Sequence, residues 1–218
     1  MKSVIIYSGG LDSTVLLYKL AAEGALAAAL SVDYGQRHAK ELEFAATNCA
    51  KLGVAHSIVD LNGIAQIFGE NALTDKTVDV PDGAYAESNM SATVVPNRNM
   101  ILLSLATARA IAIGADAVAY AAHSGDHALY ADCTPEFGDA MDNAIALADY
   151  KKIKLLRPFV NLTKTEIVKL GAELGVDFSL TWSCYKGGDI HCGTCGTCAE
   201  RREAFKLVGI ADTTKYST

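Results

Sequence analysis

Eight residues, Tyr7-Ser8-Gly9-Gly10-Leu11-Asp12-Ser13-Thr14, constrain this chain more than any other stretch. They stand between an apolar run, Val4-Ile5-Ile6, and an amphipathic segment from Val15 to Glu23, a pattern that reads as strand, tight turn, helix. Such a turn aims backbone N–H groups outward at a helix N-terminus. Together with the positive end of the helix dipole they make an anion site, and the hydroxyls of Ser8, Ser13 and Thr14 add donors at the same place. The common phosphate loop, G-x-x-x-x-G-K-S/T, needs a lysine that reaches the phosphates. None stands between Lys2 and Lys19, which excludes a kinase-type or GTPase-type loop. A purely steric turn is the competing reading of the two glycines, and Asp12, Ser13 and Thr14 are also ordinary first-turn capping residues.

Further along, strand-like and helix-like segments alternate. Ala25 to Gly35 reads as a buried strand, with helix as a rival because of its alanines. Ala39 to Leu52 carries a helical stripe (Leu42, Ala45, Ala46, Cys49, Leu52) closed by Gly53, and Val54 to Leu61 is a third strand. Alternation of this kind predicts βαβ units and a parallel sheet that binds its ligand at the carboxyl ends of the strands. Residues 62–95 break the pattern with Asn62, Gly63, Gly69, Pro81, Asp82, Gly83 and Asn89, and read as a functional or mobile insertion.

Arg98 stands at the mouth of a helix predicted from Met100 to Ile113 and is a candidate phosphate clamp; alternatively Asn97 or Asn99 caps that helix and Arg98 faces solvent. After a strand at Ala117 to Ala122, the segment from His123 to Phe137 is rich in groups suited to a polar heterocycle. Asp132 and Glu136 can accept from ring N–H and amino groups, while Tyr130 and Phe137 can stack. Capping of the next helix is the plainer role for Asp132 and Thr134; His123 and His127 could be metal ligands but, with no third partner in register, read as loop histidines. Ile153 to Phe159 is a fifth strand. Thr163 and Glu166 then stand in capping-box register, with Lys164 between them as either a phosphate contact or a surface charge.

Near the end comes Cys184-x7-Cys192-x2-Cys195-x2-Cys198 among glycines. Nothing near the N-terminus is long enough for a signal-peptide core, and no stretch approaches the roughly 20 apolar residues of a membrane span, so a cytoplasmic, reducing location is expected. There, cysteines at this spacing are metal ligands sooner than disulfides. Four thiolates close a tetrahedron around Zn²⁺ and leave no open position, making the metal structural; an iron–sulfur cluster is the rival, and His191 is a minor alternative ligand. Net charge is −6, but residues 151–218 carry 11 Lys/Arg against 7 Asp/Glu. The acidic remainder argues against broad nucleic-acid binding.

Ser8 to Thr14 resembles the S-G-G-x-D-S-T pyrophosphate loop of the PP-loop ATP pyrophosphatase superfamily. Taken with Val32 to His38, Pro96-Asn97-Arg98-Asn99, Asp132-Cys133-x-Pro135-Glu136-Phe137 and the four cysteines, the whole chain resembles the QueC family, the 7-cyano-7-deazaguanine synthases of queuosine biosynthesis. The resemblance is weakest over 62–92 and departs from familiar members at Ser124 to Leu129 and at Thr134. It implies an α/β, parallel-sheet, Rossmann-like three-layer fold of the adenine nucleotide alpha hydrolase-like kind. Residues 1–180 would form the nucleotide-binding domain, with the 62–95 insertion, and residues 181–218 a zinc-binding segment and C-terminal helix packed on it. It further implies a ligase using 7-carboxy-7-deazaguanine, ammonia, ATP and Mg²⁺, with no nucleic-acid or membrane partner and with a homodimer left open. Ser8, Gly9, Gly10, Leu11, Asp12, Ser13 and Thr14 would hold the phosphates, and Asp12, Ser13, Arg98 and Lys164 would serve the chemistry. Tyr130, Asp132, Glu136 and Phe137 would meet the base. A tRNA thiolase of the same superfamily, or a non-catalytic nucleotide- or zinc-binding module, is the alternative.

Overall fold

A computed structural model describes residues 1–86 and 90–217. Five strands, β1 (Ser3–Ile6), β2 (Leu26–Asp33), β3 (His56–Asp60), β4 (Ala117–Ala119) and β5 (Lys154–Leu156), form one sheet in the order β3-β2-β1-β4-β5, every neighbouring pair parallel. Parallel pairing requires crossovers, which carry α1 (Leu11–Ala22), α2 (Glu41–Leu52), α3 (Arg98–Ala112) and α4 (Pro135–Leu147); α5 (Lys164–Glu173) and α6 (Gly196–Val208) follow β5. The α/β, Rossmann-like expectation therefore holds.

The alanine-rich segment is strand, not helix, because it lies between β1 and β3 with Ala28 to Val32 buried. Both faces of the sheet are covered, so these strands read as apolar runs without alternation. Helix α1 buries Leu11, Val15, Leu16, Leu17 and Leu20, each worth roughly 1.5–3 kcal/mol against exposure. One core packs α1 with β1, Phe159, Ile167 and Phe205; a second packs Leu103, Ala106 and Ala110 of α3 with Val4, Val118 and Ile145.

The described part of the 62–95 insertion is packed against the body of the protein. Phe68, Ala72, Leu73 and Val80 are buried, and the Arg37 guanidinium donates to the carbonyls of Asp75 (2.9 Å) and Val78 (2.7 Å). Asn89 lies outside the described residues. The insertion meets the cysteine segment through an antiparallel bridge, Asp82 with Cys195. The C-terminal tail is tied back by Arg201, 1% exposed, which donates to Thr181 Oγ1 (2.7 Å) and the Phe178 carbonyl (3.0 Å) and pairs with Asp212 (3.2 Å).

Strand order reverses about β1, whose neighbours are β2 and β4. Parallel sheets open a crevice at such a switch point, beyond the carboxyl ends of the strands. The turn into α1 and the segment after β4 both end there.

Candidate active site

The Ser8 to Ser13 turn forms one rim of a cavity of about 210 Å³ over that switch point. Gly10 is the N-cap of α1 and no side chain caps the helix, so the N–H groups from Leu11 to Ser13 have no partner within the helix. Ser8 Oγ accepts from Gly10 N–H (3.1 Å) and lies 3.0 Å from Ser13 Oγ. Gly9 takes φ +86°, and a Cβ there would sit 2.1 Å from the carbonyl oxygen of Glu41, the first residue of α2. Only glycine satisfies both conditions. Thr14 faces inward instead: its hydroxyl donates to the Gly10 carbonyl (2.7 Å) and lies 3.2 Å from Tyr7 OH, bracing the turn from below.

Asp12 Oδ2 accepts from Lys164 Nζ at 2.6 Å, and the same ammonium lies 3.3 Å from Glu200 Oε2. Lys164 is in the first turn of α5, which is fixed by a complete Thr163/Glu166 capping box. Burial alone would raise the Asp12 carboxyl; the ammonium of Lys164, and after it His123, outweighs burial and holds it below the usual range. Its Oδ1 is buried with no partner among the described residues. Burial raises Glu200, against the pull of Lys164.

His123, 2% exposed, sits between carboxylates, its Nε2 3.9 Å from Asp12 and 3.5 Å from Asp126. Its Nδ1 accepts from Gly125 N–H (3.1 Å), which leaves Nε2 to carry the proton, toward those carboxylates. Asp126 Oδ1 accepts in turn from Tyr85 OH (2.8 Å). Sequence reading gave His123 only a loop position and did not single out Asp126, Glu200 or Tyr85; these four come together through the fold.

Arg98 begins α3 and also lines the cavity, its guanidinium 6.0 Å from the Tyr130 ring centroid. Neither flanking asparagine caps the helix with its side chain. The cap comes from Asp132, whose Oδ2 accepts from Asn99 N–H at 2.8 Å. Beside Arg98 lie His38 and Glu41, both buried and 3.6 Å apart. Burial, aided by Arg98, lowers His38 to about 3, and burial raises Glu41 to about 8. Both shifts favour the uncharged forms, so burial works against an ion pair between them.

Of the residues expected to meet a base, none lines the cavity. Tyr130 is buried with its hydroxyl 2.8 Å from Thr93 Oγ1, Asp132 caps α3, Glu136 is exposed in the first turn of α4, and Phe137 packs into the α3–α4 core. Cys133 does line it; burial pushes its thiol up, and its sulfur accepts from Asn99 Nδ2 (3.2 Å).

None of the four cysteines lines the cavity, although their neighbours Ser183, Tyr185 and Thr197 do; the sulfurs of Cys184, Cys192, Cys195 and Cys198 all lie within 4.8 Å of one another, a set that can take a metal ion such as zinc. The N–H groups of Thr194 and Cys195 point at Cys192 Sγ (3.4 and 3.2 Å) and that of Cys192 at Cys184 Sγ (3.3 Å), the bonding expected around thiolate ligands. His191 is not part of the set: its Nε2 accepts from Ser183 N–H at 2.9 Å.

Comparison with known proteins matches residues 2–209 to the family described as queuosine biosynthesis protein QueC. The chain is 51% identical over 216 residues to the 7-cyano-7-deazaguanine synthase of Caldicellulosiruptor bescii, covering 99% of this chain and 97% of that one. It is 55% identical over 218 residues to the synthase of Rhizobium meliloti, covering 99% and 92%. Among solved structures it is similar to the U34-tRNA thiolase NcsA of Methanococcus maripaludis (TM-score 0.52, 15% identity, 96% of this chain and 72% of that one). It is also similar to the NMN synthetase of Francisella tularensis (TM-score 0.51, 16% identity, 96% and 78%). At such identities these two share the fold alone. With a family match across nearly the whole length and about half of all residues shared with synthases of the same size, this chain belongs to the QueC family of queuosine biosynthesis proteins.

Proposed function

We propose that this protein is an ATP-consuming ligase of the cytoplasm that converts 7-carboxy-7-deazaguanine and ammonia to 7-cyano-7-deazaguanine. Beyond family membership, one observation carries the ATP-dependent reading. The uncapped start of α1 opens into the switch-point cavity with Asp12 Oδ1 buried and unpartnered beside it. That is a cradle for a polyphosphate and its cation.

A carboxylate oxygen is a poor leaving group, so the chemistry begins by attaching it to phosphorus. It attacks the α-phosphorus of ATP and pyrophosphate departs. Ammonia adds to the acyl carbon, AMP leaves with that oxygen and a proton is released, giving the amide. The amide oxygen attacks a second ATP and pyrophosphate departs again. Loss of the nitrogen-bound protons and cleavage of the C–O bond then expel AMP and leave the nitrile.

In both rounds the N–H groups of Leu11 to Ser13, with the Ser8 and Ser13 hydroxyls, would bind phosphate oxygens. Lys164 and Arg98, both lining the cavity, would offset the charge growing on the pyrophosphate. Mg²⁺, held through Asp12 Oδ1, would supply Lewis-acid polarisation of the phosphate oxygens. Tyr130 under the guanidinium and Asp132 at the cap of α3 would act by holding Arg98 in place. No step needs a thiol, in keeping with the buried, un-ionised Cys133. The four-cysteine site, occupied by zinc, would be structural.

The test is mass spectrometry of the product formed from 7-carboxy-7-deazaguanine, ammonium and Mg-ATP. Nitrile together with AMP and pyrophosphate is expected; unchanged acid, or a sulfur-containing product from an RNA substrate, would point elsewhere in the superfamily.

A further inference from the structure

Two buried side chains on the cavity wall are not used by the chemistry above. His38 and Glu41 are 5% and 7% exposed, and both line the cavity. His38 Nδ1 has no partner among the described residues. Glu41 Oε1 accepts from Gln36 Nε2 (3.2 Å) and lies 3.6 Å from His38 Nε2. A buried polar atom left without a partner, as His38 Nδ1 is, lowers stability and calls for something that bonds it.

Their placement is fixed in advance of any ligand. Gln36 Oε1 accepts from Tyr34 N–H (2.8 Å), which turns its amide nitrogen toward the Val32 carbonyl (3.1 Å) and Glu41. The imidazole of His38 rests against the Tyr185 ring, centroids 5.3 Å apart. The Glu41 carbonyl lies on the α-carbon of Gly9, so the start of α2 is bolted to the turn that would hold phosphate. A carboxyl and an imidazole side by side on a cavity wall supply hydrogen-bonding groups of the kind that match a ring nitrogen and its neighbouring amino group.

We propose that His38 and Glu41 read the hydrogen-bonding edge of a planar aminopyrimidine ring bound in this cavity. Resting as it does on the function proposed above, the inference has two sources for that ring, the adenine of ATP and the deazaguanine acid, which share this edge chemistry.

The experiment is titration calorimetry of the full chain, as wild type, Glu41→Gln and His38→Asn, with two probes: α,β-methylene-ATP plus Mg²⁺, and 7-carboxy-7-deazaguanine. Each variant is expected to weaken one probe by tenfold or more and to leave the other within twofold. The probe affected names the ring. If it is the nucleotide, the variants also lose preference for the adenine over the guanine analogue; if it is the acid, they lose preference over an analogue lacking the 2-amino group. Two variants that bind both probes as wild type does would overturn the inference alone, as would equal weakening of both probes with a lowered melting temperature, the mark of a merely structural pair. A wild type that binds neither probe would overturn the functional reading itself, and this inference with it.

Discussion

Lys164 Nζ and Asp12 Oδ2 meet at 2.6 Å across 152 positions of sequence, locking the first turn of α5 to the first turn of α1. The contact sits at the switch point, with Glu200 from α6 as a third member. It carries both a stability consequence and a catalytic one.

Removing the cation leaves two carboxylates facing each other with His123 as their remaining neighbour. Lys164→Met should therefore cost on the order of 1–3 kcal/mol in folding stability and abolish pyrophosphate release. Asp12→Ala leaves Lys164 its Glu200 partner and should fold with near-normal stability while losing pyrophosphate release just as completely; Ser13→Ala should behave in the same way. Denaturant midpoints beside a pyrophosphate assay separate the two effects. Near-normal turnover in Asp12→Ala would move the nucleotide site elsewhere.

Gly9→Ala meets two obstacles at once, φ +86° and a Cβ placed 2.1 Å from the Glu41 carbonyl oxygen. Backbone, not a flexible side-chain end, must give way. A loss of roughly 3 kcal/mol or more is expected, seen as a shifted unfolding midpoint or as insoluble protein. A variant with wild-type stability would contradict the close approach of α2 to the turn.

The Glu41 carboxyl gives a pH signature. Its value is raised from 4.5 to about 8 by burial, so between those limits the folded chain holds a proton that the unfolded chain has released. Stability from this group is full below about 4.5 and is lost as pH rises toward 8. Glu41→Gln carries no such proton, so its melting temperature relative to wild type should be more favourable at pH 8.5 than at pH 5.5. An unchanged difference between the two pH values would mean that the carboxyl is solvated.

Much of this architecture can be read from the chain. The Gly-Gly turn, the alternation of strands and helices, the Thr163/Glu166 capping box and the four cysteines are local patterns with one dominant physical solution each. What the sequence did not yield is long-range. Asp132 looks like a cap for the helix that follows it, yet it caps α3, more than thirty residues earlier in sequence, because the loop after β4 folds back over that helix end. His123 looks like a loop histidine until Asp12 and Asp126 are brought around it. The cavity walls drew on Glu41, Tyr85 and Glu200 for the same reason: no spacing rule connects a helix start, an irregular insertion and a C-terminal helix.

A metal held by all four thiolates would leave no place for a reacting water and would act only through structure. Cys195→Ala should lose one zinc per chain, become protease-sensitive beyond about Trp182, and lose activity in parallel, as measured by metal analysis and limited proteolysis. Because the thiols must be deprotonated to bind, metal retention should also fall with acid and with chelators. Iron and sulfide in the purified protein, or a metal-free variant that keeps both protease resistance and activity, would contradict this.

Adenylation of the substrate's own oxygens is the central claim, and isotope transfer tests it most directly. With 7-carboxy-7-deazaguanine labelled with ¹⁸O at both carboxylate positions, each turnover should transfer both labels to AMP, one per molecule of AMP, and leave none in the nitrile or the pyrophosphate. Unlabelled AMP, with ¹⁸O appearing in water or phosphate instead, would show that the carboxylate is not activated at the α-phosphorus and would contradict the account.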